Sequence, residues 1–167
     1  AHGFARATDD SVGRRRRTRY TITAKGRRAL AAWLREPGDG PVLEFEQLLK
    51  INFADSGSKA DILANLAATR AWVLDQNREN LAAARVYLEG RSAFPQRAAL
   101  NQLGGRFLTD LYVMVARWAD WASRMVEDWP EDVNEAPFSI AAAEEGVRLA
   151  ESIGAVLHTP AGGNPGT

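Results

Sequence analysis

Arginine is the residue whose spacing in this sequence most clearly indicates a chemistry. Five arginines fall within six consecutive positions: Arg14, Arg15, Arg16, Arg17 and Arg19. Guanidinium groups this close repel one another, so the cluster is favourable only in open solvent or against an anionic partner. Each guanidinium presents forked N–H donors that match a phosphate. The cluster therefore predicts either a solvated basic strand or a phosphate-binding surface.

The distribution of charge along the chain supports the second interpretation. The 167 residues include 21 Lys or Arg and 21 Asp or Glu, so the formal net charge is zero. Residues 1–36 contain ten basic and three acidic residues, a net charge of +7, and the other 131 residues carry −7. This asymmetry predicts a basic end that meets a polyanion and an acidic body that does not.

Other chemistry has little basis in the composition. There is no cysteine, which excludes a disulfide framework, a thiol nucleophile and a Cys-ligated zinc site. The two histidines, His2 and His158, lie near opposite ends of the sequence, so we expect neither a positioned catalytic base nor a metal site. We predict that the protein is not an enzyme and carries no metal or cofactor.

The apolar content indicates a folded protein of the cytoplasm. Hydrophobic residues make up 46% of the chain, which is enough for a core and too much for a disordered chain. The apolar runs are far shorter than the roughly 20 residues that cross a bilayer, and no signal peptide is visible. We therefore expect a soluble protein without a membrane partner.

The elements that position the arginines read as a β-hairpin and a short helix. Residues 4–8 form a first strand, the cluster at 9–13 predicts a turn, and residues 14–23 alternate as a second strand. We expect Tyr20 and Ile22 to pack inward. Thr23 is a suitable N-cap for a helix over residues 25–34, and Gly26 near its start tolerates a close neighbour.

A Pro/Gly-rich linker at residues 37–41 separates this part from a helical body. The predicted domains are residues 1–36, residues 42–157 and a disordered tail over 158–167. An amphipathic element over 44–53 precedes two long helices, one from a capping box at Ser58 to about residue 89 and one from Pro95 to Pro130. A last helix covers about 139–157.

The second long helix carries a continuous apolar stripe. Eight of its residues are spaced alternately by about three and four positions: Leu100, Leu103, Phe107, Leu111, Met114, Trp118, Trp121 and Met125. A helix of roughly 45–50 Å has no room to bury such a stripe in a small globule, so we expect a second copy of the chain to cover it. Ordinary packing in the core is the simpler explanation for the tryptophans on these helices, and the one we prefer.

The residues after the arginine cluster resemble the wing and the following helix of PadR-type transcriptional regulators. That family has a Tyr-x-[Leu/Ile]-Thr-x-x-Gly-x-x-x-Leu pattern, which is filled here by Tyr20, Ile22, Thr23, Gly26 and Leu30. Residues 44–53 resemble the family's segment before its dimerisation helices, and residues 101–121 resemble its last long helix. The resemblance covers most of residues 3–129.

Two features depart from the family pattern. The family's recognition helix precedes the wing, whereas this sequence begins at the first wing strand, so we expect the helix-turn-helix helices to lie upstream of residue 1. The helix predicted near residues 139–157 is additional to the short form of the family. We expect a regulator of the subfamily that has the longer C-terminal domain.

The resemblance implies a mainly α fold with a small β-hairpin wing, a partial winged helix-turn-helix, and long antiparallel C-terminal dimerisation helices. It implies a homodimeric repressor on a palindromic site in double-stranded DNA, released by a small apolar or aromatic effector. The candidate DNA-binding residues are Arg14, Arg15, Arg16, Arg17, Arg19 and Lys25. The candidates for the dimer interface or effector pocket are Trp72, Phe107, Leu111, Met114, Trp118, Trp121 and Met125. The alternative is a helical ligand-sensing or protein-interaction module without specific DNA binding.

Overall fold

A computed structural model describes residues 2–12 and 15–158 of the chain. Gly13, Arg14 and the predicted tail residues 159–167 lie outside the described residues. The chain divides into two compact units, one ending at Glu44 and the other beginning at Phe45. The strands and helices are β1 (Ala5–Val12), β2 (Arg15–Ile22), α1 (Ala24–Trp33), α2 (Glu46–Asn52), α3 (Lys59–Leu88), α4 (Ala98–Glu127) and α5 (Ile140–His158).

The first unit contains the antiparallel hairpin of β1 and β2. Its register runs from the pair Ala5 and Ile22 to the pair Val12 and Arg15. The turn that we predicted from Asp9 onward is wrong, because β1 continues through Asp9 to Val12. Pairing with β2 satisfies the backbone groups of these residues and outweighs their weak intrinsic preference for strands.

Helix α1 begins where the hairpin ends, and a threonine and a glycine fix the junction. The Thr23 hydroxyl accepts a hydrogen bond from the Gly26 N–H at 3.1 Å and donates to the Gly3 carbonyl at 2.7 Å. Gly26 is buried, and a Cβ atom there would lie 2.1 Å from the Phe4 carbonyl oxygen. The N-cap and the close approach at Gly26 are therefore both confirmed.

The apolar face of the hairpin is more open than we expected. Tyr20 is 72% exposed, so its predicted inward packing is wrong, and Ile22 is exposed on the same face although it reaches Gly26. The residues opposite on β1 are small: the Cα partner of Tyr20 is Ala7. Among the described residues of this unit, none covers most of the phenol ring.

The second unit is built around the antiparallel pair of α3 and α4, each 30 residues long. The Lys59 ammonium at the start of α3 donates to the Glu127 carbonyl at the end of α4, at 2.9 Å. Near the other end, the Asn80 side-chain amide donates to the Thr109 hydroxyl at 2.9 Å. These contacts fix the register of the pair at both ends.

The seam between α3 and α4 is lined by residues of moderate or small size. One buried cluster contains Ile62, Leu66, Ala119, Ala122 and Val126, and a second contains Val73, Tyr112 and Val115. Ala119 is fully buried, which lets the two helices approach closely. Helix α2 joins this body through the Asn65 amide, which donates to the Gln47 carbonyl at 2.8 Å.

Most of the long apolar stripe of α4 does not line this seam, although Leu111 and Trp118 pack against its buried clusters. Leu100, Leu103, Phe107, Met114 and Trp121 are exposed, with exposed fractions from 38% at Trp121 to 72% at Leu103, and the other three members are half-buried. Within one chain most of the stripe is therefore uncovered, as we expected from its length. The periodicity identified the largest apolar side chains on α4, whereas the smaller ones on a different face contact α3.

Helix α5 contributes almost nothing to this core. The Ser139 hydroxyl accepts from the Ala142 N–H at 3.2 Å and so caps its first turn. From residue 140 to residue 156 every side chain except that of Ala142 is exposed. The helix was predicted, but its isolation from α3 and α4 was not.

Candidate nucleic-acid interface

Strand β2 divides the arginine cluster between the two faces of the hairpin. Side chains alternate along a strand, so Arg17 and Arg19 share one face, and Arg16 lies on the other face with Thr18 and Tyr20. All three arginines are exposed. The sequence therefore predicted their exposure, but the five arginines do not act as one undivided patch.

The cross-strand register adds an arginine that we did not single out. Arg6 on β1 has Thr21 as its Cα partner and is exposed. Opposed residues of an antiparallel pair lie on the same face, and diagonal neighbours are about 7–8 Å apart. Arg6 is therefore a neighbour of Arg19. We refer to Arg6, Arg17 and Arg19 together as the basic face of the hairpin.

Only the pairing of β1 with β2 reveals Arg6 as a member of this face. It lies 11 positions before Arg17, and the sequence does not state which β1 residue opposes which β2 residue. The signal that identifies it is the alternation of both strands combined with the length of the turn. Without the turn length, Arg6 counts toward net charge and nothing more.

The remaining basic candidates have different environments. Arg14 lies outside the described residues, and Arg15 is the first residue of β2, with Val12 as its Cα partner. The Lys25 ammonium donates to the His2 carbonyl at 3.0 Å and lies 5.3 Å from the centre of the Phe4 ring. A cation over an aromatic face is held by the ring quadrupole, so Lys25 already has partners within its own unit.

The aromatic candidates of the helical unit are also not equivalent. Trp72 packs edge-to-face on Tyr112 with ring centres 6.0 Å apart, and Trp118 packs edge-to-face on Phe45 at 5.7 Å. These contacts tie the two indoles into the chain's own packing. Phe107, Met114 and Trp121 remain exposed, and Leu111 and Met125 are half-buried. The seven candidates therefore do not line one closed cavity. Three of them, Phe107, Met114 and Trp121, form part of an exposed surface on α4.

Polar residues join the end of α3 to the start of α4 by hydrogen bonds. The Tyr87 hydroxyl accepts a hydrogen bond from the Asn101 amide. Hydrogen bonds from Ser92 and Asn101, with a smaller contribution from the charge of Arg97, lower the pKa of the Tyr87 hydroxyl. These contacts hold the two helix ends together.

The described residues contain neither a cluster of metal-binding side chains nor a helix that could span a membrane. No three His, Cys, Asp or Glu side chains among them come close enough together to hold a metal ion. Of the helices in the described ranges, none is long and apolar enough to cross a membrane.

Comparison with known proteins adds evidence from a solved structure. No protein-family profile matches the chain, and no curated protein matches its sequence. Among solved structures, the chain is similar to Bacillus subtilis PadR in complex with operator DNA, with a TM-score of 0.58. The match covers 74% of this chain and 70% of that one at 17% sequence identity. The chain therefore has a PadR-like fold, with a small antiparallel hairpin and a mainly helical body.

Proposed function

We propose that this protein is a DNA-binding transcriptional regulator, and that it represses transcription as a homodimer on a palindromic operator. The observation that carries the proposal is the basic face of the hairpin, which has Arg6, Arg17 and Arg19 on the same side of a wing-like element of a PadR-like fold. The similar PadR structure contains operator DNA, which supports the same class of partner here.

The charge of the hairpin supports phosphate contacts rather than base readout. A two-stranded ribbon that enters a groove of DNA has a phosphate backbone on each side, so arginines on both of its faces meet phosphates. We assign Arg6, Arg17 and Arg19 to contacts with the phosphate backbone on one side of the groove, and Arg16 to contacts with the phosphate backbone on the other side. Arg14 and Arg15 are retained as phosphate-contact candidates from the sequence alone, and Lys25 is a weaker candidate because of its contacts with His2 and Phe4.

The salt dependence of binding tests this assignment. Fluorescence anisotropy of a labelled duplex of about 30 base pairs measures the affinity of the chain between about 50 and 200 mM salt. We expect log affinity to fall linearly with log salt. Arg17→Ala combined with Arg19→Ala should weaken binding to all sequences. It should also flatten the slope by about 3.6 for a dimer, because each of the four lost phosphate contacts removes about 0.9 from the slope.

A charge-matched variant supplies the control. Arg78→Ala combined with Arg106→Ala removes the same charge from exposed ion pairs on α3 and α4, so its slope should equal that of the parent. An unchanged slope in the Arg17 and Arg19 variant contradicts the wing assignment. If the parent itself shows no salt-dependent affinity, the alternative of a ligand-sensing or interaction module replaces the regulator.

The homodimer is supported by the exposed stripe of α4. The stripe leaves on the order of 600 Å² of apolar surface uncovered on one chain, which approaches the surface that one partner buries in a standard interface. A symmetric dimer also carries two hairpins, one for each half-site of a palindrome.

A small aromatic effector is the last part of the proposal. Phe107, Met114 and Trp121 are exposed on α4, and aromatic and thioether side chains form adaptable sites for flat apolar molecules. Binding there alters the dimer and so the spacing of its hairpins. An aromatic ligand should quench tryptophan emission, and Trp121→Phe should reduce that quenching. Equal quenching in both proteins would place the ligand elsewhere.

A further inference from the structure

Helix α5 exposes a large apolar surface. A helix with such a surface is unstable in water unless another element packs against it. Five of its large apolar side chains are each more than half exposed: Ile140, Val147, Leu149, Ile153 and Val156. A helix of 19 residues draws most of its stability from packing of such a face. Because α3 and α4 do not supply that packing, its surface is available to another element.

Two glutamates border one side of this apolar face. Glu144 lies four positions after Ile140 and three before Val147, and Glu151 lies four positions after Val147. Residues three or four apart are neighbours on a helix, so both glutamates border the apolar face. Glu144 is 4.0 Å from Arg148 on its own helix. Within the part of the chain that the structure describes, Glu151 has no basic partner. The two carboxylates are seven residues apart, which is about 10.5 Å along the helix.

Two arginines border the exposed stripe of α4 with the same spacing. Arg117 lies three positions after Met114, and Arg124 lies three positions after Trp121. Both side chains are exposed, and among the described residues neither guanidinium has an acidic partner. Their separation of seven residues is again about 10.5 Å. An apolar stripe edged by two cations thus exists on α4, and an apolar strip edged by two anions exists on α5.

We propose that α5 of one chain lies on the α4 stripe of a second copy, with Glu144 and Glu151 opposite Arg117 and Arg124. The inference rests on the homodimer of the proposed function and names its interface. A two-fold axis makes the exchange reciprocal, so each α5 covers the other chain's α4. The two contacts bury both apolar surfaces and pair four carboxylates with four guanidinium groups.

Charge reversal with mixing of variants tests this contact. One variant carries Glu144→Arg and Glu151→Arg, and the other carries Arg117→Glu and Arg124→Glu. Each alone places like charges in both contacts, so we expect sedimentation equilibrium to show a homodimer at least tenfold weaker than that of the parent. An equimolar mixture should recover a dimer of parental affinity, because in the heterodimer both contacts again join opposite charges.

A control variant and three possible contradicting results complete the test. Arg78→Glu with Arg85→Glu, an equal change at the same seven-residue spacing on α3, should leave dimerisation unchanged. If the reversed variants dimerise like the parent, the homodimer stands and the α5 contact is wrong. If mixing fails but one chain with all four substitutions recovers, α5 binds its own α4, which also overturns the inference. A monomeric parent refutes the homodimer itself. Circular dichroism confirms that each variant is folded.

Discussion

At the scale of single residues, the hairpin and α1 depend on one backbone approach. The Thr23 N–H donates to the Phe4 carbonyl at 3.0 Å, and the Gly26 Cα faces that same carbonyl. The sequence indicated that Gly26, which has no Cβ, tolerates a close neighbour. It did not predict that the neighbour is the backbone of β1, since that depends on the register of the hairpin. The same register decides that Arg6 joins Arg17 and Arg19.

Gly26→Ala should destabilise the first unit by about 1–3 kcal/mol. The new Cβ would lie 2.1 Å from the Phe4 carbonyl oxygen and 2.9 Å from the Ile22 side chain, so the hairpin and α1 must move apart. Hydrogen exchange of residues 2–36, read by mass spectrometry, should become faster. Gly38→Ala, where no atom lies within 4 Å, is the control and should leave exchange unchanged. Equal exchange in the two variants would disprove the tight junction.

At the scale of elements, local signals were predictable and rotations about a helix axis were not. The start of α3 was predicted from its capping box, because Ser58 and Asp61 satisfy each other's backbone groups within four residues. The face of α4 that contacts α3 was not, because the largest apolar side chains of α4 point elsewhere. Ala119 and Ala122 mark the true seam, and small residues give no strong periodic signal. The extension of β1 past Asp9 was missed because pairing across strands outweighed local turn preference.

Ser58→Ala should lower the free energy of unfolding by about 1 kcal/mol at neutral pH. The Ser58 hydroxyl and N–H donate to the Asp61 carboxylate at 2.6 and 3.0 Å, and these bonds lower the pKa of the Asp61 carboxyl. A lowered pKa in the folded state stabilises the fold above the ordinary aspartate value of about 4, and this contribution disappears as the pH falls through the folded-state pKa.

Denaturant unfolding at several pH values measures both effects. The difference between the parent and Ser58→Ala should be largest at neutral pH and should shrink below about pH 4. Ser152→Ala is the control: the Ser152 hydroxyl donates to the Leu149 carbonyl within α5, so its loss should be neutral or slightly stabilising. A difference that does not change with pH would exclude the Asp61 carboxylate as its source.

At the scale of the whole molecule, the net charge of zero is the sum of two parts with opposite net charges. The first 36 residues carry +7 and the rest carry −7, and the structure places the boundary between its two units just after this change of sign. The basic part exposes Arg6, Arg17 and Arg19, and the acidic part has uncovered apolar surface on α4 and α5. The charge separation was visible in the sequence. The uncovered surface required knowledge of which helix faces meet within one chain.

Adjacent residues on α4 distinguish a dimer through the stripe from association through any exposed apolar side chain. Met114 belongs to the stripe and is 51% exposed, whereas Val113 is 42% exposed and is rotated by about 100° around the helix. Met114→Glu places a carboxylate in the proposed interface, where it loses its hydration without a partner, so dimer affinity should fall at least tenfold. Val113→Glu adds the same charge outside the stripe and should leave the affinity within about threefold of the parent. Sedimentation equilibrium measures both. Equal weakening of the two variants would indicate nonspecific association, and no weakening in either would remove the α4 stripe from the interface.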